Sequence, residues 1–593
     1  MSILQLKKAT LIGLSESKPQ ILDALQSLGS LHIIPLAQQK KRPQALLAGV
    51  NSEQLSTVLG YLLGCSYKRR QVLSERHFDL VDVVRATEKN RAERLQLLER
   101  REFLKKRIKD LKPWGSFGFP EHGELFNQRL WFYLVPNYRM NEVAKITLPW
   151  SIVHRDNRHS YVAVIAPDEP QVNLMPVQRT HTGAVPLDAL IVELEDIEIA
   201  IETIEAERQA LTRWIYALQR CEAGIGDQDA LKKVNEQTLD RGEVFAIQGW
   251  VAVQEITRLE TFAQNQSLVL QLSDPGTDEI PPTLLSNPPA LAGGEEVVSF
   301  FQTPGYKGWD PSRVVFFSFV GFFALIMSDA GYSLMLALIL VFYWQQMSLT
   351  QTGRRLRTMG VALSVAGFVW GVMVGSYFGA APPFAWLASL KVMDLHDFDS
   401  MMTLSICIGA GHLVLGNLMM AWVKRHTNQA YASLGWASAV VVGLSGWLQG
   451  IDFLHWIGFA AALMLVVVYS GQSKAWSLKR FLEGLLALTN VTKMFGDILS
   501  YLRLFALGLA SASLAITFNQ LAVDVAAALP AIGLLFKVLI LITGHLLNFV
   551  LTVVSGVIHG LRLNLIEFYN WSLADEGYAF QRFSKQEVTP WIT

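Results

Sequence analysis

Up to about residue 310, apolar positions come singly or at helical and strand spacings among charges. Beyond Pro311 they run together, at about 314–346, 359–379, 401–423, 432–450, 454–470, 485–518 and 531–558. A bilayer-spanning helix needs roughly 20 apolar residues. The first stretch exceeds that, and Asp329 and Gly331 near its middle divide it in two. The pattern therefore predicts eight transmembrane helices over residues 311–593, the last two long. Basic residues support that count. Arg354, Arg355 and Arg357 follow the second helix, Lys424, Arg425 and His426 the fourth, and Lys474, Lys479 and Arg480 the sixth. Arg562, Arg582 and Lys585 end or follow the eighth, whereas an opposite connection carries Asp394, Asp397 and Asp399. Eight spans place every basic connection and both termini on one side, the cytoplasmic one.

The first 310 residues read differently. Ile3, Leu4, Leu6, Leu11 and Ile12 suggest a strand over 3–14, and residues 19–28 a helix stopped by Gly29. A second strand over Leu31–Leu36 completes a β-α-β opening. A charged helix from Asp79 to Lys112 carries Leu97, Leu104, Ile108 and Leu111 on one seam, interrupted by Arg101, and stops at Pro113. From Leu187 to Leu218 apolar residues recur at spacings of three and four, with Arg208 the exception. That heptad seam over 187–221 wants a partner helix, and residues 79–112 are the natural antiparallel one, with a folded insert at about 116–180. The alternative is two separate amphipathic helices on globular cores. Residues 245–256 return as a strand running into a helix. The expected fold is mainly α. Cytoplasmic α/β lobes joined by a long helical hairpin occupy residues 1–310, and an eight-helix membrane domain occupies 311–593.

Composition excludes several functions. Lys+Arg and Asp+Glu are equal at 51 each, which points to no nucleic acid or other polyanion. Cys65, Cys221 and Cys407 are isolated, giving neither a disulfide framework nor a zinc site. The N-terminus lacks a signal-peptide core. The chain has no Gly-Lys dipeptide and so no Walker A loop. No cofactor, metal site or enzymatic activity of its own is expected.

Charged and polar residues inside the apolar stretches carry the functional signal. Arg503 lies deep in the seventh, where an arginine costs at least about 2.5–3.5 kcal/mol on insertion scales. Ser500, Ala510, Ser513 and Thr517 share its face. A functional cation and a structural ion pair both fit. In the eighth, His545, Asn548, Thr552, Ser555, His559 and Arg562 recur at spacings of three and four on an otherwise apolar helix. Such a stripe reads as the wall of a hydrated path, or as interhelical hydrogen bonding. Glu567 is placed to pair with Arg562, Asp329 marks a helical junction, and His412 and Asn417 read as hydrogen-bonding between helices.

At these residues the chain closely resembles subunit a of V-type ATPases, called subunit I in bacterial and archaeal V/A-type enzymes. Ser500-Tyr501-Leu502-Arg503-Leu504 and His559-Gly560-Leu561-Arg562-Leu563 with Ile566-Glu567-Phe568 carry the resemblance. Asp310-Pro311, Ser328-Asp329-Ala330-Gly331-Tyr332, Gly375-Ser376-Tyr377-Phe378-Gly379, Gly411-His412 and Gly249-Trp250-Val251 support it. The resemblance implies a membrane stator of a rotary ATPase, with Arg503 facing the carboxylates of a proteolipid ring. It implies two aqueous half-channels and Arg562 as a second functional arginine. It implies peripheral-stalk and rotor-cap partners, a soluble ATPase head reached through the stalks, and a prokaryotic inner membrane. The transported ion is left open between proton and sodium, as is the direction, hydrolysis or synthesis. Departures are Ser328 and Ser333 at glycine positions of the family, Thr552 where eukaryotic relatives often have glutamate, and Asp575-Glu576-Gly577-Tyr578 in place of a glycine pair. A secondary transporter and a non-conducting membrane scaffold are the competing readings.

Overall fold

A computed structural model describes all residues except 1, 38–49, 75, 77, 117–127, 172–173, 183–184, 277–278, 349, 383, 396, 472–477, 530–531, 574, 587 and 589–593. Lys474, placed on a basic connection by the sequence, lies outside the described residues. The chain packs as two units, residues 1–38 with 237–583 and residues 39–236 with 584–593.

The first unit opens with β1 (Leu6–Leu14), α1 (Lys18–Leu28) and β2 (Leu31–Ile34). Gly29 ends α1 at φ 67°, a left-handed conformation in which its amide reaches back to Leu25 O. The second unit then runs through α2 (Ser52–Leu63), α3 (Leu80–Leu111), β3 (Arg129–Pro136), α4 (Met140–Val143), β4 (Trp150–Arg155), β5 (His159–Ala166), α5 (Leu187–Leu211) and α6 (Ile215–Gln237). Asp79 caps α3 by accepting from the amides of Val81 and Asp82 at 2.9 and 3.1 Å. Helices α3 and α5 form the antiparallel hairpin. Leu97, Leu104, Ile108 and Leu111 pack with Leu187, Leu190, Leu194, Ile197 and Ile201, flanked by Arg100–Glu193 at 2.6 Å and Lys105–Glu198 at 3.1 Å. The insert between them is an antiparallel sheet in the order β3-β5-β4.

The expected helix over 187–221 is broken. A single 3-10 turn, Thr212–Trp214, separates α5 from α6. Gln71 occupies the break. Its Nε2 donates to Thr212 O at 3.0 Å and its Oε1 accepts from the Tyr216 amide at 3.0 Å, pairing backbone groups there. Ile215 and Leu218 consequently leave the hairpin seam and pack with Leu55, Leu62 and Val83. Arg208, the seam exception, is buried and donates to Tyr61 O at 2.6 Å near the end of α2, its guanidinium 4.3 Å from the Tyr61 ring.

The chain re-enters the first unit as β6 (Leu239–Arg241), β7 (Val244–Ala252), α7 (Ile256–Asn265) and β8 (Val269–Ser273). The sheet order is β2-β7-β1-β8, with β6 also on β7 and every pairing antiparallel. The β-α-β opening is therefore not a neighbouring pair, because β7 lies between β1 and β2. Gly249 on β7 permits this, since a Cβ there would sit 2.8 Å from His32 O.

The remaining helices are α8 (Ala292–Phe301), α9 (Ser312–Met327), α10 (Ala330–Phe342), α11 (Trp344–Ser348), α12 (Gln351–Val374), α13 (Ala385–Ala388), α14 (Phe398–Val423), α15 (Gln429–Gln449), α16 (Phe453–Tyr469), α17 (Leu478–Ala487), α18 (Asn490–Leu499), α19 (Leu502–Ala528), α20 (Gly533–Arg562) and α21 (Tyr569–Ser572). Among the described residues, five apolar segments are long enough to cross a membrane: α12, α14, α15, α17–α19 and α20–α21. The shorter apolar helices α9, α10 and α16 bring the cluster to eight. The chain is a multi-pass membrane protein. The first apolar stretch does break between Ser328 and Asp329, where Ser328 takes φ 43°. Such a left-handed turn favours glycine, and a serine adopts it here. Helix α12 packs on both halves: a Cβ on Gly367 would meet Met327 Cγ of α9 at 3.8 Å and Ser333 Oγ of α10 at 2.6 Å, and one on Gly371 would meet Ala330 N of α10 at 2.2 Å. On α20, Leu546, Leu547, Val550, Leu551, Val554 and Ile558 are exposed and suit a lipid surface.

The C-terminal segment straps the first unit's sheet. Phe583 N donates to Leu31 O at 2.8 Å, and Gln581 N donates to His32 Nδ1 at 2.9 Å. Burial lowers the His32 imidazole below its ordinary value, and only the neutral ring can accept at Nδ1. The stabilisation is present in full above pH of about 6.5 and is lost as pH falls through the lowered folded-state value. Hydrogen exchange at the Gln581 amide, corrected for intrinsic rate, should lose protection on acidification. His32→Ala should remove that protection at neutral pH.

Candidate functional site

The polar stripe of α20 meets two different environments. At its C-terminal end it joins a charged group. Tyr501, fully buried, shares a hydrogen bond of 2.8 Å with His412 Nδ1 and so fixes the start of α19 against α14. His412 in turn stacks on Phe568, ring centroids 4.1 Å apart and planes 3° apart. After Arg562, α20 widens into a π-helical turn, Leu563–Phe568. Its i→i+5 hydrogen bonding lets residues five apart share a face, which returns Glu567 towards Arg562. Arg562 Nε lies 3.4 Å and Arg503 Nη1 3.9 Å from the same oxygen, Glu567 Oε1. Glu567 is 3% exposed, while the Arg503 side chain is 22% and the Arg562 side chain 51% exposed. Two guanidiniums therefore share one buried carboxylate, and the group holds excess positive charge. Arg503 Nη1, Glu567 Oε2 and His559 Nδ1 are buried atoms with no hydrogen-bond partner among the described residues. The Arg503–Glu567 contact is an ion pair without a hydrogen bond at that nitrogen.

Further towards the N-terminus of α20, the stripe is tied to its neighbours. His545 Nδ1 lies 2.8 Å from Tyr332 OH and its Nε2 lies 3.0 Å from Asn519 Oδ1. Asn548 Nδ2 donates to Tyr332 OH at 3.0 Å and to Ser511 O at 2.8 Å. Thr552 Oγ1 lies 2.7 Å from Ser511 Oγ. Asn548 and Thr552 are 1% and 4% exposed, so these bonds form out of solvent. Asp329 anchors the arrangement. Its carboxylate, 2% exposed, caps α10 by accepting from the Tyr332 amide at 3.0 Å. It also accepts from Ser376 Oγ at 2.7 Å and from the amides of Phe378 and Gly379 at 3.0 Å each. The two sequence segments Ser328–Tyr332 and Gly375–Gly379 thus meet around one carboxylate.

The structure brings Arg503, His559, Arg562 and Glu567 together and joins His545, Asn548 and Thr552 in a second group. Ser555 is half-buried between them in sequence. Ser500 bonds its own helix, Oγ to Gly496 O at 3.0 Å. Ala506, Ala510, Ser513 and Thr517 are exposed, so small side chains line the open face beyond Arg503. Asn417 bonds Leu413 O of its own helix at 2.9 Å, not a neighbouring helix as expected, because an amide on an apolar helix can reach the carbonyl four residues back. Sequence reasoning quoted Tyr332 only as part of a motif, without a role, and missed Ser511 and Asn519. The only available signal was an amide and a phenol placed within otherwise apolar runs.

Comparison with known proteins is consistent along the chain. It is 26% identical over 567 residues to V-type ATP synthase subunit I of Chlamydia pneumoniae, covering 81% of this chain and 82% of that protein. It is 24% identical over 624 residues to V-type ATP synthase subunit I of Borreliella burgdorferi, covering 99% of this chain and 100% of that protein. A-type ATP synthase subunit I of Methanocaldococcus jannaschii is 25% identical over 446 residues, 66% of this chain and 63% of that protein. No family model matches the chain.

The Asp329 anchor makes a sharp steric demand. A Cβ on Gly331 would lie 2.5 Å from the Phe378 ring, and Phe378 is itself pinned at φ 52° by the bond from its amide to Asp329. Gly331→Ala should destabilise the purified chain by about 1–3 kcal/mol, read as a lowered melting temperature in detergent. Gly321→Ala, where a Cβ meets nothing within 4 Å, should leave it unchanged.

Proposed function

We propose that this chain, which is homologous to subunit I of V-type and A-type ATP synthases, is the ion-translocating stator of a rotary ATPase. Arg503 is the cation that meets each carboxylate of a passing proteolipid ring. The observation that carries this reading is the state of its guanidinium. It lies in an apolar helix, its nearest carboxylate among the described residues is 3.9 Å away and shared with Arg562, and one of its buried nitrogens has no hydrogen-bond partner among those residues. A charge so placed in a bilayer wants a further anion. The exposed face of Ala506, Ala510, Ser513 and Thr517 lets another helix approach closely enough to supply one.

The mechanism follows from charge. An arginine stays protonated and cannot relay a proton. Its field favours the ionised form of a ring carboxylate, so an ion is released on one side of Arg503 and taken up on the other. The same fixed charge opposes leakage between the two half-channels. Glu567, His559, Arg562 and Ser500 lie on the approach to that position. Ser555, Thr552, Asn548 and His545 form the wall of the path further along α20. Rotation then couples proton or sodium movement to ATP hydrolysis or synthesis in a soluble head, to which residues 1–310 connect through peripheral stalks and the rotor cap. Both termini lie in the cytoplasm of a prokaryotic cell whose inner membrane holds residues 311–593.

Arg503→Ala in the assembled complex should lower ATP-driven ion uptake into vesicles by on the order of 100-fold or more, with the proteolipid ring still co-purifying. Uptake within a few-fold of wild type would overturn the reading.

A further inference from the structure

The hydrogen bonds around His545 determine where every proton in that group resides. The Phe378 carbonyl can only accept. Asn519 Nδ2 donates to it at 2.8 Å, so the Asn519 amide is turned with Oδ1 towards His545 Nε2. Nε2 must then carry the proton. The other end gives the same answer independently. The Ser511 carbonyl also can only accept, and Asn548 Nδ2 donates both to it and to the Tyr332 oxygen. Tyr332 therefore has its single proton left for His545 Nδ1, and a bare Nδ1 is the arrangement in which that proton also finds an acceptor. Both assignments describe one species, a neutral imidazole with its proton on Nε2.

We propose that Asp329, Tyr332 and Asn519 are positioning residues that hold His545 as a neutral, fixed clasp between α10, α19 and α20, so that this end of the stripe carries no protons. The inference rests on the stator reading above and narrows it: the wall of the path is inert here, and proton or ion exchange is confined to the end near Arg503. A proton relay needs groups that accept on one side and donate on the other. Two branches of these bonds end at the carbonyls of Phe378 and Ser511, which pass nothing on, and the third, from Asn548 Oδ1 to the Thr552 and Ser511 hydroxyls, runs through a carboxamide that accepts at oxygen and donates at nitrogen without exchanging a proton between them. Asp329 sets both ends of the His545 contact at once. It fixes the first turn of α10, from which Tyr332 projects, and the Phe378–Gly379 amides, which aim the Phe378 carbonyl at Asn519. The Phe378 ring closes one side, 5.3 Å from Tyr332 and 5.6 Å from His545. No carboxylate of the described residues forms an ion pair with His545; Asp329 is spent on its four donors.

A glutamine at 545 offers one acceptor and one donor and cannot titrate, so it separates a clasp from a carrier. In the assembled complex, His545→Ala should lower ATP-driven ion uptake about tenfold or abolish assembly, while His545→Gln should recover most of that loss and keep the wild-type pH profile. Uptake by His545→Gln as low as that of His545→Ala in an assembled complex, or a displaced pH profile, overturns the clasp. Should neither variant assemble, nitrogen-15 spectra of histidine-labelled wild-type complex decide the matter. Carbon-13 glycine identifies the two Gly–His pairs, Gly411–His412 and Gly544–His545. Two neutral signals that stay neutral from pH 6 to 8 support the clasp, and one that becomes imidazolium overturns it unless Tyr501→Phe, which touches only the His412 contact, moves that signal. Failure of the stator reading itself shows separately, as ion uptake that survives Arg503→Ala.

Discussion

Within a hydrocarbon layer, a polar group with no partner costs several kcal/mol, and water is not at hand to supply one. That constraint organises the helical part of this chain. Asp329 is admitted because four donors converge on it, three of them backbone amides that two chain reversals leave free. The reversals exist for that purpose as much as the carboxylate exists for them: Ser328, Gly375, Phe378 and Gly379 all take positive φ around it. Arg503 is the counter-example. Among the described residues its surroundings answer only part of its hydrogen-bonding capacity, and the same constraint that satisfies Asp329 leaves Arg503 wanting a further partner.

The polar face of α20 therefore has one period and two chemistries. Towards its N-terminal end every donor has an acceptor, and the partners are amides, hydroxyls, a phenol and main-chain carbonyls. Towards its C-terminal end two cations share a buried carboxylate across a widened helical turn. Helix α19 serves both regions, offering Ser511 and Asn519 to the first and Arg503 to the second. A residue count of polar positions cannot distinguish the regions. The distinction lies in whether the atoms facing the stripe come from this chain or leave room for another.

Much of the architecture was legible from residue spacing, because helix length, seam and lipid exposure are written in the local pattern. The α3–α5 hairpin, the stop at Gly29 and the split at Asp329 all follow from nearest neighbours. What spacing could not reveal depends on partners far along the chain. The break after Leu211 needs Gln71, some 141 positions away from Thr212. The sheet places β7 between β1 and β2 although more than 200 residues separate them in sequence. Arg208, an apparent flaw in the seam, is explained only by the end of α2. In the site, the charged residues stood out because charge is conspicuous among leucines. Tyr332 and Asn519 did not, since a single phenol or amide in an apolar run is unremarkable until its partner is seen.

The brevity of the first hairpin has an electrical consequence. Helices α9 and α10 contain 16 and 13 residues, or about 24 and 20 Å at 1.5 Å per residue, against a hydrocarbon thickness of about 30 Å. If both helices start at one surface of a bilayer, a reversal at that depth stops short of the opposite surface, and the lipid beside it would thin or give way to polar surroundings. A transmembrane voltage drops mainly across the low-dielectric part of its path. Where that part is shortened the field steepens, so a given membrane potential acts over a shorter distance on whatever charge passes there.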